Sequence, residues 1–136
     1  MTQSLQDAYI IIVDDDPNAQ LVAVDLLRMA GARNCFARKS AGSSLSFAAS
    51  LPRVDLFLVD INMPGQSGYD LLALIRQNEQ YQQAKVVAVT AGTLEEDVEQ
   101  ARSLGFDGFI SKPLKMSEFA RQVEQILSGQ HVWTWR

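Results

Sequence analysis

The 136-residue chain carries 12 basic and 16 acidic side chains, a formal charge of −4, and 47% hydrophobic residues. These are the values of an ordinary soluble domain and exclude a disordered, collagenous or coiled-coil chain; the acidic balance gives no general attraction for phosphate backbones, so direct nucleic-acid binding is not expected. One cysteine, Cys35, can form neither an internal disulfide nor a thiolate cluster, and no apolar run approaches the ~20 residues of a membrane span, so a cytoplasmic protein without a membrane partner is expected.

Tyr9–Val13 is β-branched and nearly continuous, and reads as the first strand. Asp16 caps and Pro17 opens the helix that follows, whose apolar stripe reads as Leu21, Val24 (or Val22), Leu26 and Leu27 before Gly31. Residues 34–37 make a weaker strand. Residues 40–50 make a serine-rich, poorer helix with Leu45, Ala48 and Ala49 in phase. Residues 54–61 are the third strand. Ser67, with Asp70 three positions on, caps a helix that places Leu71, Leu74 and Ile75 on one face. Residues 85–89 are the fourth strand, and Thr93 with Glu96 offers a capping box for a helix ending at Gly105. Residues 106–110 are the fifth strand. The last helix carries Phe119, Val123, Ile126 and Leu127 and stops near Gly129.

Strand and helix alternate five times through short connections, which predicts an α/β domain with a parallel sheet and right-handed crossovers. Runs one, three and four are continuous rather than alternating, as in strands covered on both faces. Residues 130–136 read as a short tail after a single domain spanning 1–129, with no output domain behind it. Both tryptophans, Trp133 and Trp135, lie in that tail. They are expected either to fold back over apolar surface, which a terminal amphipathic helix offers nearby, or to serve a partner.

In an open α/β sheet, ligands bind beyond the carboxyl ends of the strands. Asp14, Asp15 and Asp16 stand after the first strand, Asp60 after the third, Thr90 and Ala91 after the fourth, and Lys112 with Pro113 after the fifth. Clustered carboxylates ask for a hard divalent cation, and Mg²⁺ suits them because it takes one or two carboxylates and keeps phosphate oxygens for the rest. An aspartate can form an aspartyl-phosphate, with lysine and hydroxyl donors neutralising the phosphoryl oxygens. Asp60 lies deepest in an apolar strand and is followed by a loop, which makes it the candidate nucleophile. Asp16 reads better as a helix cap than as a metal ligand. Cys35 reads as a small buried hydrophobe, and the tail's His131 is given no role.

These residues resemble the receiver domain of two-component response regulators, of the stand-alone chemotaxis type. The match lies in Val13-Asp14-Asp15-Asp16, in Leu58-Val59-Asp60-Ile61-Asn62-Met63-Pro64-Gly65 with Gly68, in Thr90-Ala91 and in Lys112-Pro113. Any one of these motifs is weak alone; four in order, each at a strand end, are specific. The resemblance implies a flavodoxin-like (βα)5 three-layer sandwich with a five-stranded parallel sheet of order 2-1-3-4-5. It implies Asp60 as phosphoacceptor. Mg²⁺ would be held by Asp14, Asp15, Asp60 and the backbone carbonyl of Asn62. Thr90, Ala91 and Lys112 would hold the phosphoryl group, the Lys112–Pro113 peptide would be cis, and Thr90 with Phe109 would form a conformational switch. Phe109 reads equally as a core aromatic. A histidine kinase or histidine phosphotransfer protein is the implied donor, and a downstream protein contact or onward relay the output. Two other readings stay open: a haloacid-dehalogenase-type Mg²⁺-dependent phosphatase using Asp14-x-Asp16, and a degenerate receiver acting only as a binding module.

Overall fold

Each β-branched run of the chain is followed by a helix with one apolar face, and the two kinds of element stack as three layers. The computed structural model describes residues 4–91 and 94–134. In chain order these form β1 (Tyr9–Val13), α1 (Pro17–Met29), β2 (Asn34–Arg38), α2 (Ala41–Ala48), β3 (Leu56–Val59), α3 (Gly68–Gln77), β4 (Lys85–Thr90), α4 (Glu95–Leu104), β5 (Gly108–Ser111), α5 (Phe119–Leu127) and β6 (Val132–Trp133). All neighbouring strands pair in parallel, in the order β2-β1-β3-β4-β5-β6. The flavodoxin-like order 2-1-3-4-5 is therefore present. The expected five strands are six, because part of the segment read as a tail pairs with the free edge of β5. A run of two residues is too short to announce itself as a strand by periodicity.

The continuous apolar strands divide their side chains between two cores, because successive residues point to opposite faces. Ile11, Val13, Phe57, Val59, Val86, Ala88 and Phe109 pack with α2, α3 and α4. Ile10, Ile12, Leu56, Leu58, Val87, Val89 and Ile110 pack with α1 and α5. Both faces are covered, so neither alternates in sequence. Cys35 is buried in the second core, and burial pushes its thiol up to about 11 against a smaller opposing pull from the Arg28 charge. It is therefore protonated and inert at neutral pH.

The helix starts follow local hydrogen-bond chemistry. Asp16 accepts the Asn18 N–H at the head of α1, Ser40 and Ser43 cap α2 reciprocally, and Ser67 and Asp70 do the same for α3. At α4 the Asp97 carboxylate accepts the Leu94 N–H at 3.2 Å, one residue beyond the expected Glu96; Thr93 lies outside the described residues. Of the expected stripe, Leu27 is buried and Val24 and Leu26 pack against the core, but Leu21 and the alternative Val22 are 60% and 47% exposed, and Ala23 is buried in their place. At 100° per residue, Leu21 stands nearly opposite Ala23. Ala49 of the second helix is likewise exposed, at the C-cap of α2.

One glycine ties the helices to the rim. Gly68, the first residue of α3, lies so close beneath the β3 end that a Cβ there would sit 2.7 Å from the Asp60 carbonyl oxygen and 2.7 Å from Ile61 Cα. Both obstacles are backbone, so the loop must move. Gly68→Ala is expected to lower unfolding free energy by about 1–3 kcal/mol, the usual cost of overpacking, measured by urea titration; an unchanged midpoint would show that the loop yields freely.

Candidate functional site

The register that pairs Val13 with Val59 sets Asp14 and Asp60 side by side, one residue past the ends of β1 and β3. Two buried carboxylates so placed repel each other, and each is held by donors. Asp14 Oδ1 accepts the Asp16 N–H at 3.0 Å, and Asp60 Oδ1 accepts the Asn62 N–H at 3.0 Å. The remaining oxygens share one cation. Lys112 Nζ donates to Asp14 Oδ2 at 2.7 Å and to Asp60 Oδ2 at 3.2 Å. Lys112 is placed by its own backbone, whose N–H bonds the Thr90 carbonyl at 2.8 Å, and by a cis peptide to Pro113. Burial opposes its charge, but the hydrogen bond it donates to Asp14 and the charge of Asp60 outweigh burial and hold the lysine above its ordinary value of 10.5.

Asp15 is exposed, and one oxygen from each of Asp14, Asp15 and Asp60 lies within 4.8 Å of the others. This set of hard carboxylate oxygens fits a small divalent cation. The hydroxyl of Thr90, buried at the end of β4, accepts from Asn62 Nδ2 at 3.3 Å. Ala91 follows it, exposed on the same rim. A cavity of about 440 Å³ opens below these groups between α1 and the loop after β5, floored by Ile12, Leu58, Val89 and Phe119.

The structure thus brings Asp14, Asp15, Asp60, Thr90, Ala91 and Lys112 to one rim. Phe109 is not on it: the ring is wholly buried in the core, with its residue paired to Ala88 on one side and Trp133 on the other. Asp16 acts as a helix cap, as read. Two contributors escape a reading by residue type. Gln20 on α1 donates to the Asp14 carbonyl at 2.6 Å, and the Asn62 side chain reaches Thr90. Gln20 stands four residues after the cap Asp16, a helical spacing that carries it back over the β1 end. For Asn62, only a backbone role was inferred.

A model of the response regulator receiver domain matches residues 10–124. The chemotaxis protein CheY of Pseudomonas aeruginosa is 30% identical over 117 residues, 86% of this chain and 94% of that protein. CheY-3 of Vibrio cholerae is 31% identical over 119 residues, 86% of this chain and 89% of its own. The crystallised Vibrio cholerae chemotaxis protein CheY4 superposes with a TM-score of 0.80 at 22% identity, over 88% of this chain and 98% of its own, a likeness of fold.

Two outcomes test the site. Removing the Asp15 charge should weaken Mg²⁺ at least ~10-fold, as direct ligands matter no less than the outer partners that cost 10–100-fold. Calorimetric titration of Asp15→Asn checks this, and equal affinity would reduce the acid cluster to a helix start. For Lys112 the folded pKa is raised. Its stabilisation is therefore fully present below the unfolded value and lost as pH rises through the folded one. In metal-free buffer, the stability gap between wild type and Lys112→Met should hold from neutral pH to about 10.5 and shrink above it, read by urea unfolding across pH.

Proposed function

The chain belongs to the response regulator receiver family, and from that premise we propose that it accepts a phosphoryl group on Asp60 from a phosphohistidine donor and signals through phosphorylation-dependent protein contacts or onward relay. What carries the reading is the single ammonium of Lys112 bonded to both Asp14 and Asp60 within a three-carboxylate cluster. An Asp60 oxygen forms the new O–P bond; the donor's P–N bond breaks and its electron pair returns to the donor imidazole. Lys112 and the Thr90 hydroxyl supply the cation and the donor that steady the added charge. Later attack of water on phosphorus releases phosphate and restores the carboxylate. Mg²⁺, held by Asp14, Asp15, Asp60 and the Asn62 carbonyl, would neutralise the transferring oxygens.

The donor class proposed is a histidine kinase or histidine phosphotransfer protein. Nothing in the fold suggests another activity of the rim. The haloacid-dehalogenase alternative gains no support, because the family model that matches residues 10–124 is that of the receiver domain. Among the described residues no helix is long and apolar enough to cross a membrane. Phosphorylation turns the singly charged Asp60 carboxylate into a doubly charged acyl phosphate beside two carboxylates, a net gain of about one negative charge, and the resulting shift in Lys112 and Thr90 is the proposed origin of the surface change. Phe109, three residues before Lys112 on β5, is the side chain through which that shift is proposed to reach the core.

Incubation with acetyl phosphate and Mg²⁺ should add one phosphoryl group, detected as a mass increase, and Asp60→Asn should abolish it. Stoichiometric label persisting on Asp60→Asn would overturn the assignment.

A further inference from the structure

After α5 the chain turns at Gly129, φ 100°, and lays Val132–Trp133 along β5, with Gly108 opposite Val132 and Phe109 opposite Trp133. Thr134 extends the contact: its N–H donates to the Phe109 carbonyl at 2.8 Å and its hydroxyl to the same oxygen at 3.3 Å. The β5 edge is shaped for this approach. A Cβ on Gly108 would lie 2.8 Å from the Val132 carbonyl oxygen, so only glycine leaves the notch open. The two side chains of β6 take opposite faces. Val132 is buried with the α1 and α5 core, while Trp133 packs against the α2–α4 core. The Arg102 guanidinium of α4 lies 4.6 Å from the Trp133 ring centre, and His131 stacks on that ring at 5.9 Å. His131 is itself placed by Nδ1, 2.8 Å from the Asp107 carbonyl oxygen.

A main-chain acceptor row, a glycine notch, an apolar seat and an aromatic seat edged by a cation are together what strand-addition recognition requires: backbone pairing for affinity and alternate pockets for selection. A two-residue strand holds weakly by its own contacts. Its advantage is the tether, which presents it at an effective concentration on the order of millimolar. We propose that the β5 edge is a recognition site for an extended segment of a partner protein, running parallel to β5 with an apolar residue followed by an aromatic one, and that residues 132–134 are its built-in competitor. A free edge strand invites indiscriminate pairing. The tail suppresses that, and only a segment that outcompetes the tethered copy gains the edge.

The test keeps the full chain. Val132→Asp with Trp133→Ala unseats the tail and leaves the edge intact. A fluorescein-labelled peptide of residues 129–134 should bind this variant at least tenfold more tightly than the unaltered chain by anisotropy, and adding Gly108→Ala should cancel the gain. Equal affinity for both chains, or no binding to either, would overturn the proposal. A doubled mass in light scattering would assign the edge to a second copy of the chain and also overturn the partner assignment. Hydrogen exchange on the unaltered protein needs no variant: the Thr134 amide, which bonds the Phe109 carbonyl, should exchange at least tenfold faster than the Ile110 amide of β5. Exchange as slow as that of β5 would make β6 a permanent core strand and refute displacement.

Discussion

The Lys112 ammonium bonded to both Asp14 and Asp60 is the interaction on which the rest of the molecule converges. Two buried carboxylates on adjacent strand ends repel in a medium of lowered dielectric, and a shared cation with well-placed N–H donors offsets that cost. The cation comes from beyond β5, two strands away from β3 in the sheet. It reaches the acids only because every strand from β1 to β5 ends on the same rim. Parallel pairing in one register is therefore the condition for the site, and continuous apolar strands covered on both faces are the condition for that pairing.

The same residues serve stability and chemistry. Asp14 and Asp60 each close a short turn by accepting the N–H two residues on, so the rim loops are shaped by the side chains that form the site. Asp16 caps α1, which frees Asp14 and Asp15 from that duty. Gly68 lets α3 start directly beneath the Asp60 carbonyl, and the α3 cap is supplied by Ser67 and Asp70 rather than by Asp60. Among the described residues no buried side-chain nitrogen or oxygen lacks a partner, so the charges of the rim are held without an orphaned group.

The far edge of β5 obeys a different constraint. A parallel sheet leaves an unpaired strand at each end, and here the free edge of β5 is covered by the short β6. The closure bears on the rim through β5 itself: Trp133 is in register with Phe109, which precedes Lys112 by three residues. Whatever moves the Lys112 end of β5 also acts on the strand to which the tail is docked.

The order of elements, the acidic first turn, the candidate nucleophile at the end of an apolar strand and the lysine–proline pair are written in local sequence. Each is a residue type at a strand or helix boundary, and boundaries carry strong local signals. Serine and aspartate caps were legible for the same reason, and Asp16 was separable from its acidic neighbours because Pro17 marks where the helix begins. The inward face of α1 was read correctly at Val24, Leu26 and Leu27 but not at Leu21, an apolar residue turned to solvent, since hydropathy alone does not say which of two adjacent stripes meets the sheet. The Gln20 bond to Asp14, the Asn62 side chain on Thr90, and the docking of Val132–Trp133 on β5 were decided only by tertiary structure. Each joins groups whose pairing depends on where two separate elements are brought together. For the last strand, two residues carry no periodicity, and the fit rests on a missing Cβ at Gly108, twenty-four positions before Val132 in the chain.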